Sequence, residues 1–495
     1  MTFSPRFVQP CRRGSTRRRT ALRAPCALLI LLSACASQSG AHTDDPSPGA
    51  GSSTDAGAAS GSGQSGSDGT ATGGTPVTVE VSGPGRITST PPGIDCGAGH
   101  TTCTAGFTAG SIVLTGDDAA TVRWSGDCSG NGDCALTLGA TRAVTAKTFA
   151  PVQRVFDDPD HGSDACLAIA SGPGDSIVVA GQYARVAQGH DAWARAYDAT
   201  GAVRWTYELS TPSEGHDAAT GVVALPDGGA LVSGTWFSGS NARWNSFTAQ
   251  LTTAGVPAWS QLGEDIGDDS YAAIARDAGG RLLLAGSRTD ADGPEAWLRA
   301  LDPGGNELWS ITRHGAQPGG AGATGIAIDS TGDILAVGTE TNAETGIDGW
   351  LARYSPAGEQ RWSVSLASPG TAADTLRAVA IGPGDVIATV GALDGAATIR
   401  SYNPDGTARW DATAADGTSW TGVAVDPAGN VVVAGSLGPD LVARKYTSAG
   451  ALVWQRRVGA AQGNAVAVDP HGNVLVCGAI TTAGNTDGLA ITLLQ

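Results

Sequence analysis

An all-β fold built from repeated units is predicted by three observations in the chain beyond residue 150. A short apolar run ending in Gly occurs seven times: Ile177–Gly181, Ala230–Gly234, Leu282–Gly286, Ile334–Gly338, Val386–Gly391, Val431–Gly435 and Val474–Gly478. The intervals between those glycines are 53, 52, 52, 53, 44 and 43 residues. A second beat, a turn glycine with Trp four residues later, follows six of the runs: Gly201/Trp205, Gly255/Trp259, Gly305/Trp309, Gly358/Trp362, Gly406/Trp410 and Gly450/Trp454. Between the beats lie tight-turn sequences such as "PDGG", "DAGG", "DPGG" and "SPAG", in which Pro presets φ and Gly accepts positive φ. Periods of roughly 40–50 residues made of four short strands are the pattern of propeller blades. The predicted fold class is an all-β, seven-bladed β-propeller over 151–495, preceded by a small disulfide-bearing β domain over 76–150.

Each blade should contain four strands. In the first repeat these are Cys166–Ala170, Ser176–Gln182, Ala192–Tyr197 and Val203–Leu209. The seventh repeat ends after its third strand. Its fourth is expected from the N-terminal side, in Val152–Asp157, with Phe156 in the place of the Trp, closing the ring and removing free sheet edges. Cys166 and Cys477 then fall in neighbouring blades. They are expected to be buried thiols, the alternative being a ring-closing bridge, which a Cα separation above about 7 Å would exclude.

The chain of 495 residues carries 30 basic and 47 acidic groups, a formal charge of −17. Seven of the Arg lie in the first 34 residues with no acid among them, so removing that segment leaves 23 basic against 47 acidic groups, or −24. Such a surface repels phosphate backbones, so nucleic acid is not an expected partner.

The first 34 residues have the three parts of a secretory signal: a basic stretch to Arg23, the apolar run Ala27–Leu32 and a small-residue end. Leu32-Ser33-Ala34-Cys35 resembles the bacterial lipobox. The resemblance implies a lipid-anchored exported protein with Cys35 modified and contact with the membrane through the anchor alone. Ala36, not Asp, follows the Cys, which by the same resemblance favours the outer membrane. Residues 35–75 are Ser, Gly, Ala, Asp and Pro with little to bury, the composition of a flexible tether.

From 76 to 150 apolar residues alternate (Val77, Val79, Val81; Ile112, Leu114; Val122, Trp124; Val144, Ala146) between Gly-rich turns, the pattern of a small β module. Its cysteines form two close pairs, Cys96/Cys103 and Cys128/Cys134. Local disulfides are the expected state in an oxidising compartment, and the absence of a CxxC knuckle argues against zinc. "GPGRITSTPPGIDCGAGHTTCTAGFTAGSIVLTG" followed by "VRWSGDCSGNGDCALTLGATRAVTAKTF" resembles the divergent bacterial repeat domain related to the internalin B-repeat. That resemblance implies adhesion or spacing rather than catalysis.

The repeats "DGWLARYSPAGEQRW" and "VAVDPAGNVVVAGS" resemble the bacterial propeller repeats called SBBP or delta-60 repeats, which implies the fold and little about activity. "AYDATGAVRW" resembles the tryptophan docking motif of quinoprotein dehydrogenases. It is one residue short, and those enzymes have eight repeats, so pyrroloquinoline quinone is not expected. No GxSxG, P-loop, HExxH or nucleophile-plus-base spacing occurs.

Residues repeating in every blade are expected to be structural: the six Trp as inter-blade packing, and Arg195, Arg299, Arg400 and Arg444 as blade-to-blade ion pairs. The b–c and d–a loops share one face, vary in length and carry the residues that do not repeat. The candidate binding face is His190, His216, Trp236, Trp244, Asp268, Asp269, Asp290, Asp292, His314 and Trp420, with His161, Glu264, Asp265 and Asp348 nearby. Asp290-x-Asp292-Gly293 and Asp157-Asp158-x-Asp160 have oxygen-ligand character without a full EF-hand pattern, so no cofactor is expected and calcium is only weakly indicated. The expected function is a cell-envelope lipoprotein that binds an envelope protein or glycan through this face. A glycan lyase or hydrolase assembled from several blades is one alternative. An outer-membrane assembly scaffold, resembling the propeller lipoprotein of the barrel-assembly machine, is another.

Overall fold

The computed structural model describes residues 74–493 apart from 84, 117–120, 130–132, 150–151, 157–162, 186–188, 210–214, 241, 264–266, 316–319, 371 and 483–484. The predicted signal segment, Cys35 and nearly all of the tether lie outside the described residues, as do His161, Glu264, Asp265 and the Asp157–Asp160 motif.

The alternation between 76 and 150 becomes two small sheets. One holds Thr104–Phe107, Thr75–Ser82, Arg142–Phe149 and Thr121–Gly126 in that order, with Thr75–Ser82 parallel to Arg142–Phe149. The other holds His100–Thr102, Asp95–Gly97, Arg86–Thr90, Ser111–Gly116 and Cys134–Thr137. The alternating residues face inward: Val77, Val79, Ile112, Leu114, Trp124 and Val144 are buried in one cluster. Cys96–Cys103 and Cys128–Cys134 are disulfides, with Cα separations of 4.7 and 5.9 Å.

The repeats become seven four-stranded antiparallel sheets. Sheet 1 comprises Ala165–Ser171, Ile177–Arg185, Gly189–Tyr197 and Val203–Leu209, lettered a to d, and each later repeat supplies the next sheet in the same order. Sheet 7 comprises Ala461–Val468, Val474–Thr482 and Asn485–Leu493, with Val152–Phe156 as its fourth strand, antiparallel to Asn485–Leu493. Strand a of each sheet packs against strand a of the next, and that of sheet 7 packs against that of sheet 1.

Both sequence beats have a steric cause. The glycine ending each apolar run lies under a bulge in strand a. A Cβ at Gly181, Gly234, Gly286, Gly338, Gly391, Gly435 or Gly478 would stand 1.8–2.0 Å from a strand-a carbonyl oxygen. The bulged residue then reaches the next sheet: Thr220 Oγ1 donates to the Tyr271 carbonyl at 2.5 Å, Thr324 to Leu376 at 2.7 Å and Thr421 to Gly463 at 2.8 Å. Asn464 Nδ2 makes the equivalent bond from sheet 7 back to the Cys166 carbonyl of sheet 1, at 2.9 Å.

The Trp beat is the outer joint. The turn glycine of one sheet lies on the Trp of the preceding sheet, with a Cβ at Gly305 or Gly358 meeting the Trp259 or Trp309 ring at 3.1 Å. The indole N–H of Trp259, Trp309 and Trp410 donates to a carbonyl in the neighbouring turn, on Pro303, Pro356 and Ser448 respectively. The register corrects one expectation here. Trp362 pairs with Arg353, one residue before the end of strand c, and in sheet 7 the equivalent Thr492 pairs with Val152. Phe156 therefore does not take the place of the Trp, and it is the Arg154 guanidinium that lies against Gly201.

Two further expectations change. Cys166 and Cys477 are joined, with a Cα separation of 5.5 Å inside a cluster with Val179, Trp193 and Leu475. Two half-cystines facing each other across the sheet 7–sheet 1 seam meet the reach of a bridge. The recurrent arginines are structural, but several bond within their own repeat: Arg195 to Thr206, Arg299 to Glu307, Arg444 to Gln455 and Asp416. Guanidinium contacts between sheets include Arg281 on the Gly332 and Pro356 carbonyls, Arg353 on the Pro404 carbonyl, and the Arg313–Glu340 ion pair at 2.9 Å.

Candidate functional site

The rim formed by the a–b and c–d turns leaves little chemistry to offer. Asp302 Oδ1 accepts the N–H groups of Gly304 and Asn306, at 2.9 and 2.8 Å. Asp426 and Asp469 cap their turns in the same way, and Ser355 does so more loosely. Short polar side chains bonding their own backbone two and four residues on are how such turns are specified. A groove between the turns Arg276–Gly279 and Ile328–Gly332 has its carboxylates already engaged, Asp277 by Arg281 and Asp329 by Arg353.

The opposite rim differs in sheets 1 to 3. His190 begins strand c of sheet 1, and His216 lies in the loop into sheet 2. A parallel bridge joins them, with His190 N–H on the Gly215 carbonyl at 3.0 Å and Asp217 N–H on the His190 carbonyl at 2.7 Å. The two imidazoles meet through their Nδ1 atoms. Burial, and then the charge of His216, push the His190 pKa below its ordinary value, so His190 favours the neutral state. The half-buried Trp244, from the b–c hairpin of sheet 2, stacks near His216 with ring centroids 6.3 Å apart and 21° between planes, while Phe237 braces it edge-on at 5.4 Å. Asp268, exposed in the loop into sheet 3, accepts the Trp244 N–H at 3.1 Å. Four residues, each from a different b–c or d–a segment, thus form one row across three sheets.

A second group follows on sheet 3. Glu295, 1% exposed at the start of strand c, is held at 2.7 Å by Arg288 through Oε1. His314 Nε2 stands 3.0 Å from its Oε2. Asp290, at the hairpin end, brings a carboxylate so that donor atoms of Asp290, Glu295 and His314 all lie within 4.8 Å of one another. Asp292 is exposed beside them, its N–H on Asp290 Oδ1 at 2.8 Å.

Three candidate residues lie in the interior instead. Trp236 is buried among Val232, Phe247 and Trp205. Trp420, 1% exposed, packs in sheet 6 under the Arg444 guanidinium. Asp269, 2% exposed, accepts the Ser246 hydroxyl at 3.1 Å and its N–H at 3.3 Å. Their places in strands a and b turn them into the blades, so they belong to packing and not to the face. Asp348 is buried as well, on Thr345.

Glu295 was not among the sequence candidates. Its signal is positional: Asp191, Glu295 and Asp348 each stand two residues before the strand-c Trp, at Trp193, Trp297 and Trp350. All three are buried, as is Asn245 at the same place in sheet 2.

No protein family's profile matches the chain, and no curated protein matches it. The chain is similar in structure to known β-propellers. Against a streptogramin B lyase structure the identity is 11% and the TM-score 0.47, covering 69% of this chain and 98% of that one. Against the structure of U3-55K the values are 9% and 0.48, covering 69% and 98%. Against the WD40 β-propeller domain of Doa1 they are 11% and 0.44, covering 68% and 95%.

Proposed function

We propose that the chain is an exported, lipid-anchored binding protein of the cell envelope whose ligand, a protein or glycan, docks on the b–c/d–a rim of sheets 1 to 3. The observation that carries this reading is the row His190, His216, Trp244 and Asp268. An aromatic ring, two imidazoles and a carboxylate from four separate segments reach the same rim. A half-exposed indole flanked by polar hydrogen-bonding groups suits both a sugar face and a protein side chain. The lipobox-like Leu32–Cys35 and the following tether support the location, holding the binding module off a membrane surface.

The same proposal takes the seven sheets as the blades of a closed propeller. Its support is the strand Val152–Phe156 beside Asn485–Leu493, the Asn464–Cys166 bond and the Cys166–Cys477 bridge at one seam. A rigid ring is what lets variable loops keep a fixed spacing. The test is binding of the purified chain to fractionated envelope proteins and glycans, comparing wild type with Trp244→Ala and His216→Ala. Loss of capture by at least tenfold is expected for both, and unchanged capture contradicts the assignment of the rim.

A further inference from the structure

We infer that Asp290, Glu295 and His314 form a binding site for a divalent transition ion of the zinc type, built on sheet 3 and independent of the ligand row described above. Glu295 is the reason. A carboxylate 1% exposed is stable only when its oxygens are satisfied. Arg288 serves Oε1, yet among the described residues no hydrogen-bond donor serves Oε2. His314 Nε2 stands 3.0 Å away at ion-pair distance, without a hydrogen bond between them. A buried oxygen facing an imidazole nitrogen and a second carboxylate is the arrangement a shared cation satisfies.

The donor set selects the ion. One imidazole and two carboxylates suit zinc and its neighbours, while calcium and magnesium take oxygen donors alone. Donors around a tetrahedral zinc ion at about 2.0–2.2 Å are about 3.3–3.6 Å apart. The observed limit of 4.8 Å closes to that by side-chain rotation of Asp290 and His314, both exposed, while Glu295 stays fixed. Arg288 acts as a positioning residue, its bond to Oε1 aiming Oε2 into the site. Asp290 Oδ1 is engaged by the Asp292 N–H, so Oδ2 is the oxygen to bind the ion. Three protein donors leave a fourth position for water or for a donor from a partner.

The test is calorimetric titration of the full chain, stripped with chelator, with Zn2+ and separately with Ca2+. Wild type is expected to take up one Zn2+ per chain at this site and no Ca2+ with comparable affinity. His314→Ala and Asp290→Asn change exposed side chains and should each weaken that uptake at least tenfold without altering the circular dichroism spectrum. Glu295→Gln should do the same, but its burial puts folding at risk, so the two exposed variants decide the outcome. His190→Ala in the His190/His216 pair should leave this site intact, separating it from adventitious imidazole binding. Cobalt loading gives a second readout, an absorption band of a nitrogen–oxygen site lost in His314→Ala. Zinc uptake unchanged in His314→Ala and Asp290→Asn, or no uptake by wild type, overturns the assignment and leaves an ordinary ion pair. Neither result bears on ligand capture by Trp244.

Discussion

On the rim of the a–b and c–d turns, Asp302 and Asp426 accept N–H groups from their own turns. On the opposite rim, Asp268 receives an N–H from another sheet, and His190 faces an imidazole from another sheet. The two rims use the same residue types, so composition does not separate them. In the residues compared, a polar atom is satisfied within its own turn on the first rim and by convergence of distant segments on the second, although Ser330 also donates to Asp385 of the next sheet on the first. The first kind specifies backbone, and the second kind makes a surface that can recognise.

The regular rim should respond to substitution through stability alone, and strongly. Asp329 is buried at a turn and is paired with Arg353, itself bonded to Asp333 and to the Pro404 carbonyl of the next sheet. Asp329→Ala removes one partner of a buried pair, and a loss of about 3–5 kcal/mol is expected in denaturant unfolding. Ligand capture per folded molecule should not change. A loss below about 1 kcal/mol would show that the regular rim is not built this way.

A smaller effect is expected at the outer joint. Gly358 has φ of +85° and lies against Trp309. Gly358→Ala combines left-handed strain with a contact that must give, and should lower stability by about 1–3 kcal/mol. Thermal unfolding measures it, and an unchanged midpoint would contradict the joint.

The variable rim should respond to pH instead. The depressed His190 pKa means that between that value and about 6.5 the unfolded chain binds more protons than the folded one. The stability contribution is present above pH 6.5 and is lost as the pH falls below it. His190→Gln should flatten that part of the stability profile, and a profile identical to wild type would sink the idea.

The smallest stability change should come from the exposed acids. Reversing the charge of Asp268 and Asp290 is expected to alter unfolding by less than about 0.5 kcal/mol. Asp269, next in sequence but 2% exposed, is excluded from that substitution because burying a new lysine would destabilise the sheet.

The repeats were legible in the sequence because each beat answers to a local constraint: the run-ending glycine to the strand-a carbonyl, the Trp to the turn glycine of the next sheet. Alternation likewise revealed the core of the small module, from Val77 to Ala146. The site was legible only in part. His216, Asp290 and His314 stand out because they do not repeat, yet the partner of His216 is fixed by neighbouring sheets, and those of Asp290 and His314 by register between strands of sheet 3. Glu295 hides in a repeating position occupied by Asp191 and Asp348 in other sheets, where it reads as packing. Trp236 and Trp420 show the opposite error, since an unrepeated aromatic residue in a strand still points wherever the strand's alternation sends it. The Cys166–Cys477 bridge joins residues 311 apart, a pairing decided by which sheets become neighbours.

Whether recognition belongs to one rim can be decided by a single binding measurement on envelope extracts with two charge reversals. Asp268→Lys lies in the convergent row. Asp405→Lys lies in a c–d turn where the carboxylate accepts the Thr407 N–H at 3.0 Å. Asp268→Lys should weaken capture at least tenfold while Asp405→Lys leaves it unchanged. Equal losses in both, or none in either, would contradict a dedicated rim.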